Sequence, residues 1–228
     1  MEKAQRAAPA VTLGPVIHNP QVIEQLKAQG VVPVDRIEDI APGSRVVLRS
    51  HGVDRATVER LRALGCELVD ATCPFVSRIH AIAQRADAAL IVVGEAAHPE
   101  VQGILGWADV DGYAVLTEAD VAALPPLSRA VVVAQTTLRE DVYERVAALL
   151  KQRIPEIAFH ATICPATHER QSECMELARS CDAMIVIGGR QSSNSRKLYA
   201  LAKDCCSRTC FIETAAELDG SFSGRPIP

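Results

Sequence analysis

The chain has 228 residues, a formal net charge of -4, and hydrophobic and charged contents of 48% and 23%. That is an ordinary globular composition, long enough for two small domains or one large one with a real core, and its slight acidic excess leaves no nucleic-acid footprint. No apolar run approaches the roughly 20 residues of a membrane-spanning helix, and the start, MEKAQRAAPA, lacks a signal peptide's apolar core, so the reading places the protein in the cytoplasm, off the membrane.

Short β-rich runs alternate with helical patterns, which predicts an α/β fold with parallel strands. Val11-Thr12-Leu13 reads as a strand end leading into Gly14-Pro15 and the loop Val16-Ile17-His18-Asn19-Pro20. Residues 21–29 carry apolar residues at helical spacing and stop at Gly30. Val31–Val34 and Arg45–Arg49 are strands, the second running into Ser50-His51-Gly52-Val53, and a helix over about 54–64 closes at Gly65. Leu68-Val69 leads to Asp70-Ala71-Thr72-Cys73-Pro74, with a helix over 75–86. The run 88–94 opens into Glu95-Ala96-Ala97-His98-Pro99-Glu100, followed by a short helix and the strand Tyr113–Leu116. Ala130–Ala134 ends in Gln135-Thr136-Thr137-Leu138, and an amphipathic helix runs to Arg153. Ile157–Phe159 leads to Ile163-Cys164-Pro165-Ala166-Thr167 and a helix over 168–180. Ala183–Ile187 gives way to Gly188-Gly189-Arg190-Gln191-Ser192-Ser193-Asn194-Ser195, a helix over 195–204 and the strand Thr209–Ile212. The tail, DGSFSGRPIP, reads as loose.

Three times a buried strand ends in a polar loop and a helix follows, at Ser50-His51-Gly52-Val53, Ala97-His98-Pro99-Glu100 and Ser192-Ser193-Asn194-Ser195. Ligands of open α/β sheets sit beyond the carboxyl ends of strands, and helix N-termini there attract anions. These loops, with Gln135-Thr136-Thr137, are suited to converge on one anionic ligand. His18, His51 and His98 can donate to phosphate oxygens, although a solvated loop histidine is the plainer reading of each. Glu100 is a candidate proton donor, or merely a helix-start acid favoured by the dipole. Ser192, Ser193 and Asn194 can cap a helix as well as bind an anion, and Thr136 and Thr167 carry the same double reading. His80, His160 and His168 read as structural or surface residues.

Among the eight cysteines, Cys73 and Cys164 stand apart, because each precedes a proline at the start of a helix. A thiol there is drawn toward thiolate, the form that binds iron in iron–sulfur clusters; two unrelated buried thiols are the plainer alternative. Cys66, Cys174 and Cys181 are expected to pack as small hydrophobes. Cys205, Cys206 and Cys210 leave a zinc site open, without the paired C-x-x-C spacing that usually marks one.

The segments TLGPVIHNPQV, SHGV, DATCP, HPEV, QTTL, ICPAT and SSNS follow one another from about Val11 to Leu218. In this order they resemble the LytB family of 4-hydroxy-3-methylbut-2-enyl diphosphate reductases, which complete the non-mevalonate isoprenoid pathway. The resemblance implies a trefoil-like arrangement of three small α/β modules, with mostly parallel sheets, around a central iron–sulfur cluster (4Fe-4S). On this reading the modules span 11–72, 73–163 and 164–218, with a tail at 219–228. The resemblance also implies that Cys73 and Cys164 ligate the cluster and that His18, His51, His98, Ser192, Ser193 and Asn194 bind the diphosphate substrate. Thr136 would stand near the substrate's hydroxyl, Glu100 would feed its proton relay, and Thr167 would assist. The implied reaction removes that hydroxyl with two electrons and two protons, and its electrons would come from a donor such as ferredoxin or flavodoxin. Two family features have no counterpart in this sequence: a Gly-Phe-Cys-type motif supplying a first cluster cysteine, in whose place MEKAQRAAPA stands, and a later Gly-Ala-Ser-type segment whose serine helps bind the diphosphate. The rival expectations are a catalytically dead remnant that binds a diphosphate or serves as an interaction domain, and a zinc protein built on Cys205, Cys206 and Cys210.

Overall fold

The valine-rich runs assemble into two parallel sheets of the same design. In the first, β1 (Ala10–Leu13), β2 (Val31–Val34), β3 (Arg45–Leu48) and β4 (Glu67–Asp70) lie in the order β2-β1-β3-β4. In the second, β5 (Ala89–Val93), β6 (Gly112–Val115), β7 (Arg129–Ala134) and β8 (Glu156–Phe159) lie in the order β6-β5-β7-β8. Every pairing in both sheets is parallel. A third, two-stranded sheet pairs β9 (Met184–Ile187) in parallel with β10 (Thr209–Ile212). The α/β class with parallel strands, expected from the sequence, is borne out. The structure, a computed structural model, describes Glu2–Leu218; the expected tail at 219–228 lies outside the described residues.

The described residues divide into two compact units. One comprises the residues up to Ile17 together with Gln21–Cys164, and the other comprises His18–Pro20 with the residues from Pro165 onward. The first two sheets both fall in the first unit, so the expected boundary at 72/73 lies inside it.

Burial on both faces explains why the central strands read as unbroken apolar runs. In β5 and β7, Ile91, Val93, Val132 and Ala134 face one way, against Val121 of α6 (Glu118–Ala123) and Val146 and Leu150 of α7 (Glu140–Arg153). Leu90, Val92, Val131 and Val133 face the other way, against Ile79 and Ala83 of α4 (Pro74–Gln84) and Val101 and Ile104 of α5 (Pro99–Leu105). The first sheet repeats the plan. Val47 and Val31 pack with Ala4 of α1 (Glu2–Arg6) and Leu26 of α2 (Pro20–Ala28), while Val46 and Leu48 pack with Val58 and Leu61 of α3 (Arg55–Ala63). In the second unit, Cys174 and Ala178 of α8 (Pro165–Ser180) and Ala202 of α9 (Ser193–Cys205) close over Val186.

Helix starts follow their caps. Asp54 accepts from the Thr57 amide at the head of α3, Cys73 precedes Pro74 at the head of α4, and Ser192 caps α9. α8 starts at Pro165, three residues ahead of the expected 168, because the proline occupies the first helical position. Neither α1 nor α6 was anticipated. α6 is held by a capping box between Thr117 and Asp120, and α1 by the burial of Ala4. One cysteine departs from expectation: Cys174 is buried as expected, but Cys181 is exposed, since it follows the last turn of α8.

Candidate active site

All the candidate loops of the first unit leave the carboxyl ends of parallel strands, where such sheets bind their ligands. The loop after β7 is the anchor. The Thr136 amide donates to Glu100 Oε1 at 2.6 Å, and the Thr136 hydroxyl donates to Glu100 Oε2 at 2.7 Å. Glu100 is 2% exposed and Thr136 is 6% exposed. A carboxylate this deep needs donors on both oxygens, and one threonine supplies them. The two candidates, 36 positions apart in sequence, thus form one unit.

His98 caps α5, its Nδ1 accepting from the Glu100 amide at 3.1 Å. Acceptance fixes the neutral tautomer: the ring proton resides on Nε2, which becomes the donor. The His51 ring meets the His98 ring edge-on, with centroids 5.6 Å apart and an interplanar angle of 74°. His51, His98, Glu100 and Thr136 are therefore linked through three different strand-end loops.

The two cysteine loops hang on their neighbours in the same way. The Cys73 amide donates to the Ser50 carbonyl at 3.0 Å, and the Cys164 amide donates to the Thr136 carbonyl at 3.0 Å. Cys73 follows β4 and Cys164 follows β8, the fourth strand of each sheet, and each loop is tied to the loop after the neighbouring third strand. Both are free, half-buried thiols, and the Cys73 side chain makes no capping bond. As soft donors at positions of the same design, they fit an iron–sulfur group.

The second unit holds His18, Thr167, Ser192, Ser193 and Asn194. Gly189 has no room for a side chain, because a Cβ there would collide with the His18 carbonyl oxygen and stand 3.5 Å from Asn19 Cα. The His18-Asn19 segment therefore lies directly on the turn that leads to Ser192. The Ser192 hydroxyl accepts from the Ser195 amide at 3.3 Å, and Ser193 is 4% exposed. Asn194 Oδ1 is buried with no hydrogen-bond partner among the described residues, a cost a bound donor would remove. Thr167 is buried in the first turn of α8.

Two contributors, Thr162 and Lys197, escaped the sequence reading, and Gln135, read there only as part of its loop, has a structural part of its own. Gln135 is fully buried; its Oε1 accepts from the Glu95 amide at 3.1 Å and its Nε2 donates to the Thr137 hydroxyl at 3.1 Å, which locks the β5 loop to the β7 loop. The Thr162 hydroxyl accepts from the Ala134 amide at 2.7 Å and donates to the Ala134 carbonyl at 2.9 Å, closing the Cys164 loop onto the end of β7. Lys197 Nζ donates to Ser193 Oγ at 2.9 Å, a contact signalled only by i, i+4 spacing. His80, read as structural, is buried in α4, and desolvation pulls its pKa down to about 4 against a weaker opposite pull from Asp70. Cys205, Cys206 and Cys210 are not among the side chains whose ligating atoms come within 4.8 Å of one another in the described residues, so the zinc alternative finds no site there.

Comparison with known proteins adds to this geometry. The family model described as "LytB protein" matches residues 1–225. The 4-hydroxy-3-methylbut-2-enyl diphosphate reductase of Citrifermentans bemidjiense is 42% identical over 212 residues, covering 91% of this chain and 75% of that protein. Its namesake from Geobacter sulfurreducens is 41% identical over 224 residues, covering 97% and 79%. A solved structure of (E)-4-hydroxy-3-methyl-but-2-enyl diphosphate reductase, described as the terminal enzyme of the non-mevalonate pathway, superposes with a TM-score of 0.72 at 37% identity, covering 98% of this chain and 83% of that one. The Plasmodium falciparum E-1-hydroxy-2-methyl-but-2-enyl-4-diphosphate reductase gives a TM-score of 0.90 at 26% identity, covering 97% and 74%.

Proposed function

The chain belongs to the LytB family, and from that premise we propose that it reduces 4-hydroxy-3-methylbut-2-enyl diphosphate to isopentenyl and dimethylallyl diphosphates. In the overall reaction two electrons and two protons are consumed: the allylic C–O bond breaks, one proton joins the departing hydroxyl to give water, and the other proton with the two electrons makes the new C–H bond. Cys73 and Cys164 would contribute to holding an iron–sulfur cluster, which when bound supplies electrons and Lewis acidity. The reading further assigns 11–72, 73–163 and 164–218 to three modules, and the electron supply to a small carrier such as ferredoxin or flavodoxin.

The observation that carries the proposal is the clamp of Glu100 on Thr136. The Thr136 hydroxyl donates to Glu100 and keeps its own lone pairs for a partner. With Glu100 protonated the bond reverses: the carboxylic acid donates to Thr136 Oγ1, and the threonine proton turns toward the substrate's hydroxyl. A proton thus reaches the leaving oxygen without bulk water entering the site, so water departs in place of hydroxide. His98, with its proton on Nε2, and His51 beside it would donate to diphosphate oxygens. Ser192, Ser193 and Asn194 would add donors from the α9 start, where the helix dipole favours an anion, while Thr167 would supply a further hydroxyl and His18 an imidazole. Holding the diphosphate fixes the allylic end and supplies the positioning part of catalysis.

The experiment is turnover by protein isolated and iron-loaded without oxygen, with a chemically reduced viologen as electron source. Release of the two diphosphate products from the 4-hydroxy substrate is expected. Iron-loaded protein that binds the substrate and returns it unchanged would overturn the assignment.

A further inference from the structure

We propose that His80 is a positioning residue, whose ring sets the Ser50–Val53 turn and thereby where His51 stands against His98. The proposal deepens the reading above, in which His51 and His98 hold the diphosphate, and rests on it for its functional consequence.

The ring is held from two sides. On one side it stacks on Trp107, with centroids 5.5 Å apart and planes 22° from parallel. Trp107 is itself fixed, since its Nε1 donates to the Val53 carbonyl at 2.8 Å and the Arg55 guanidinium lies 5.6 Å over its ring. On the other side stands Gly52, in the left-handed region at φ +73. A Cβ at Gly52 would collide with His80 Cε1 and lie 2.9 Å from Nε2. The turn thus approaches the imidazole as closely as backbone can, and glycine is required there twice, by conformation and by space.

α5 completes the contact. A Cβ built at Gly103 would stand 3.5 Å from His80 Nε2 and 3.8 Å from both Gly52 C and the His51 carbonyl oxygen. The same helix begins at the His98 cap and carries Glu100. One imidazole therefore touches the turn that carries His51 and the helix that carries His98. The turn's own bonds, Gly52 amide to Arg49 carbonyl at 2.9 Å and Arg49 Nε to Gly52 carbonyl at 3.1 Å, define its shape. Its distance from α5 is set by the ring, together with the Trp107 Nε1 bond to the Val53 carbonyl and the Arg55 amide bond to the Gly106 carbonyl at the end of that helix. A side chain kept only as filler would be apolar here, because His80 is 8% exposed and its Nε2 has no hydrogen-bond partner among the described residues. What imidazole offers over an aliphatic side chain is a flat slab that fits between an indole and a backbone.

The test uses the full chain, isolated without oxygen, with isotope-labelled histidine, in four forms: native, His80→Ala, Gly52→Ala and the double variant. His51 ring resonances and the affinity for inorganic pyrophosphate are measured for each. His80→Ala should shift the His51 resonances, as the edge-on neighbour moves away, and weaken pyrophosphate binding about tenfold. Gly52→Ala should do the same, because its methyl and the ring cannot coexist. In the double variant the methyl occupies vacated space, so the combined loss should fall well below the sum of the single losses. A purely structural role would lower the melting temperature and add independently. Should His80→Ala fail to fold, His80→Gln gives the same readings. His51 resonances unmoved in a folded His80 variant would overturn the proposal, as would strictly additive losses. Moved resonances with unchanged pyrophosphate affinity would uphold the positioning and reject the diphosphate role of His51.

Discussion

Replacing Glu100 with glutamine separates proton delivery from binding. The native carboxylate accepts two bonds from Thr136, at 2.6 and 2.7 Å, in a site 2% exposed. In Glu100→Gln the amide oxygen must face the Thr136 amide, which can only donate, so the new NH2 faces the Thr136 hydroxyl. That hydroxyl then accepts where it had donated. Both bonds survive, and only the charge assistance is lost, about 1–2 kcal/mol of stability. The proton does not survive, because an amide cannot pass one on. Loss of a positioned acid costs roughly 10²- to 10⁴-fold in kcat, about 3–5 kcal/mol in the barrier, and KM should change little. Glu100→Ala is the control. It orphans two buried donors on Thr136 and should cost about 2–6 kcal/mol of stability as well. The assay is steady-state turnover of iron-loaded protein beside urea melts of both variants. Full turnover in Glu100→Gln, or a raised KM with kcat intact, would refute the relay and make Glu100 a binding group.

Three other outcomes are expected. Cys73→Ser or Cys164→Ser should each abolish iron binding in protein made without oxygen, and iron content equal to the native chain would reject that cysteine as a ligand. Acid should weaken the fold through His80, whose pKa of about 4 lies below the ordinary 6.5. Between those values the unfolded chain binds more protons, so this contribution is complete above pH 6.5 and is lost as pH falls toward 4. It amounts to about 3 kcal/mol at most. The nearby Asp70 carboxylate opposes the shift and the Arg55 guanidinium lies beyond Trp107, so the signature is a stability slope between pH 4 and 6.5 that His80→Gln flattens; identical slopes would exclude His80 as its source. Thr162→Val should orphan the amide and carbonyl of Ala134 and lower stability by about 2–3 kcal/mol in urea melts, at nearly constant side-chain volume; a change below about 0.5 kcal/mol would show that the two bonds carry no weight.

Elements with a strong pattern were legible in the sequence because local rules decide them. The run at β5 is apolar on both faces, Pro74 and Pro165 mark helix starts, and Ser192 is a ready cap. α6 was missed although Thr117 and Asp120 spell its capping box, because six residues running into Pro125-Pro126 show too little periodicity. The site was legible as residue types and only partly as relations. Glu100 and Thr136 could each be singled out, but their bond spans 36 positions and depends on β5 and β7 lying side by side. Thr162, and the locking part that Gln135 plays, were invisible for the same reason, since their partners include backbone groups on other loops. His80 read as structural, which its burial supports, while its grip on Gly52 is a matter of shape that no spacing encodes.

The placement of the two thiols has one more consequence. β4 and β8 are border strands, joined to their sheets along a single side. Borders breathe before interiors do, and amide exchange registers that breathing at low energetic cost. Cys73 and Cys164 therefore follow on border strands, margins that loosen before the interiors of their sheets. Any ion they share would act as a rivet on those margins, and its departure should be felt first as faster exchange along β4 and β8, well before either sheet melts.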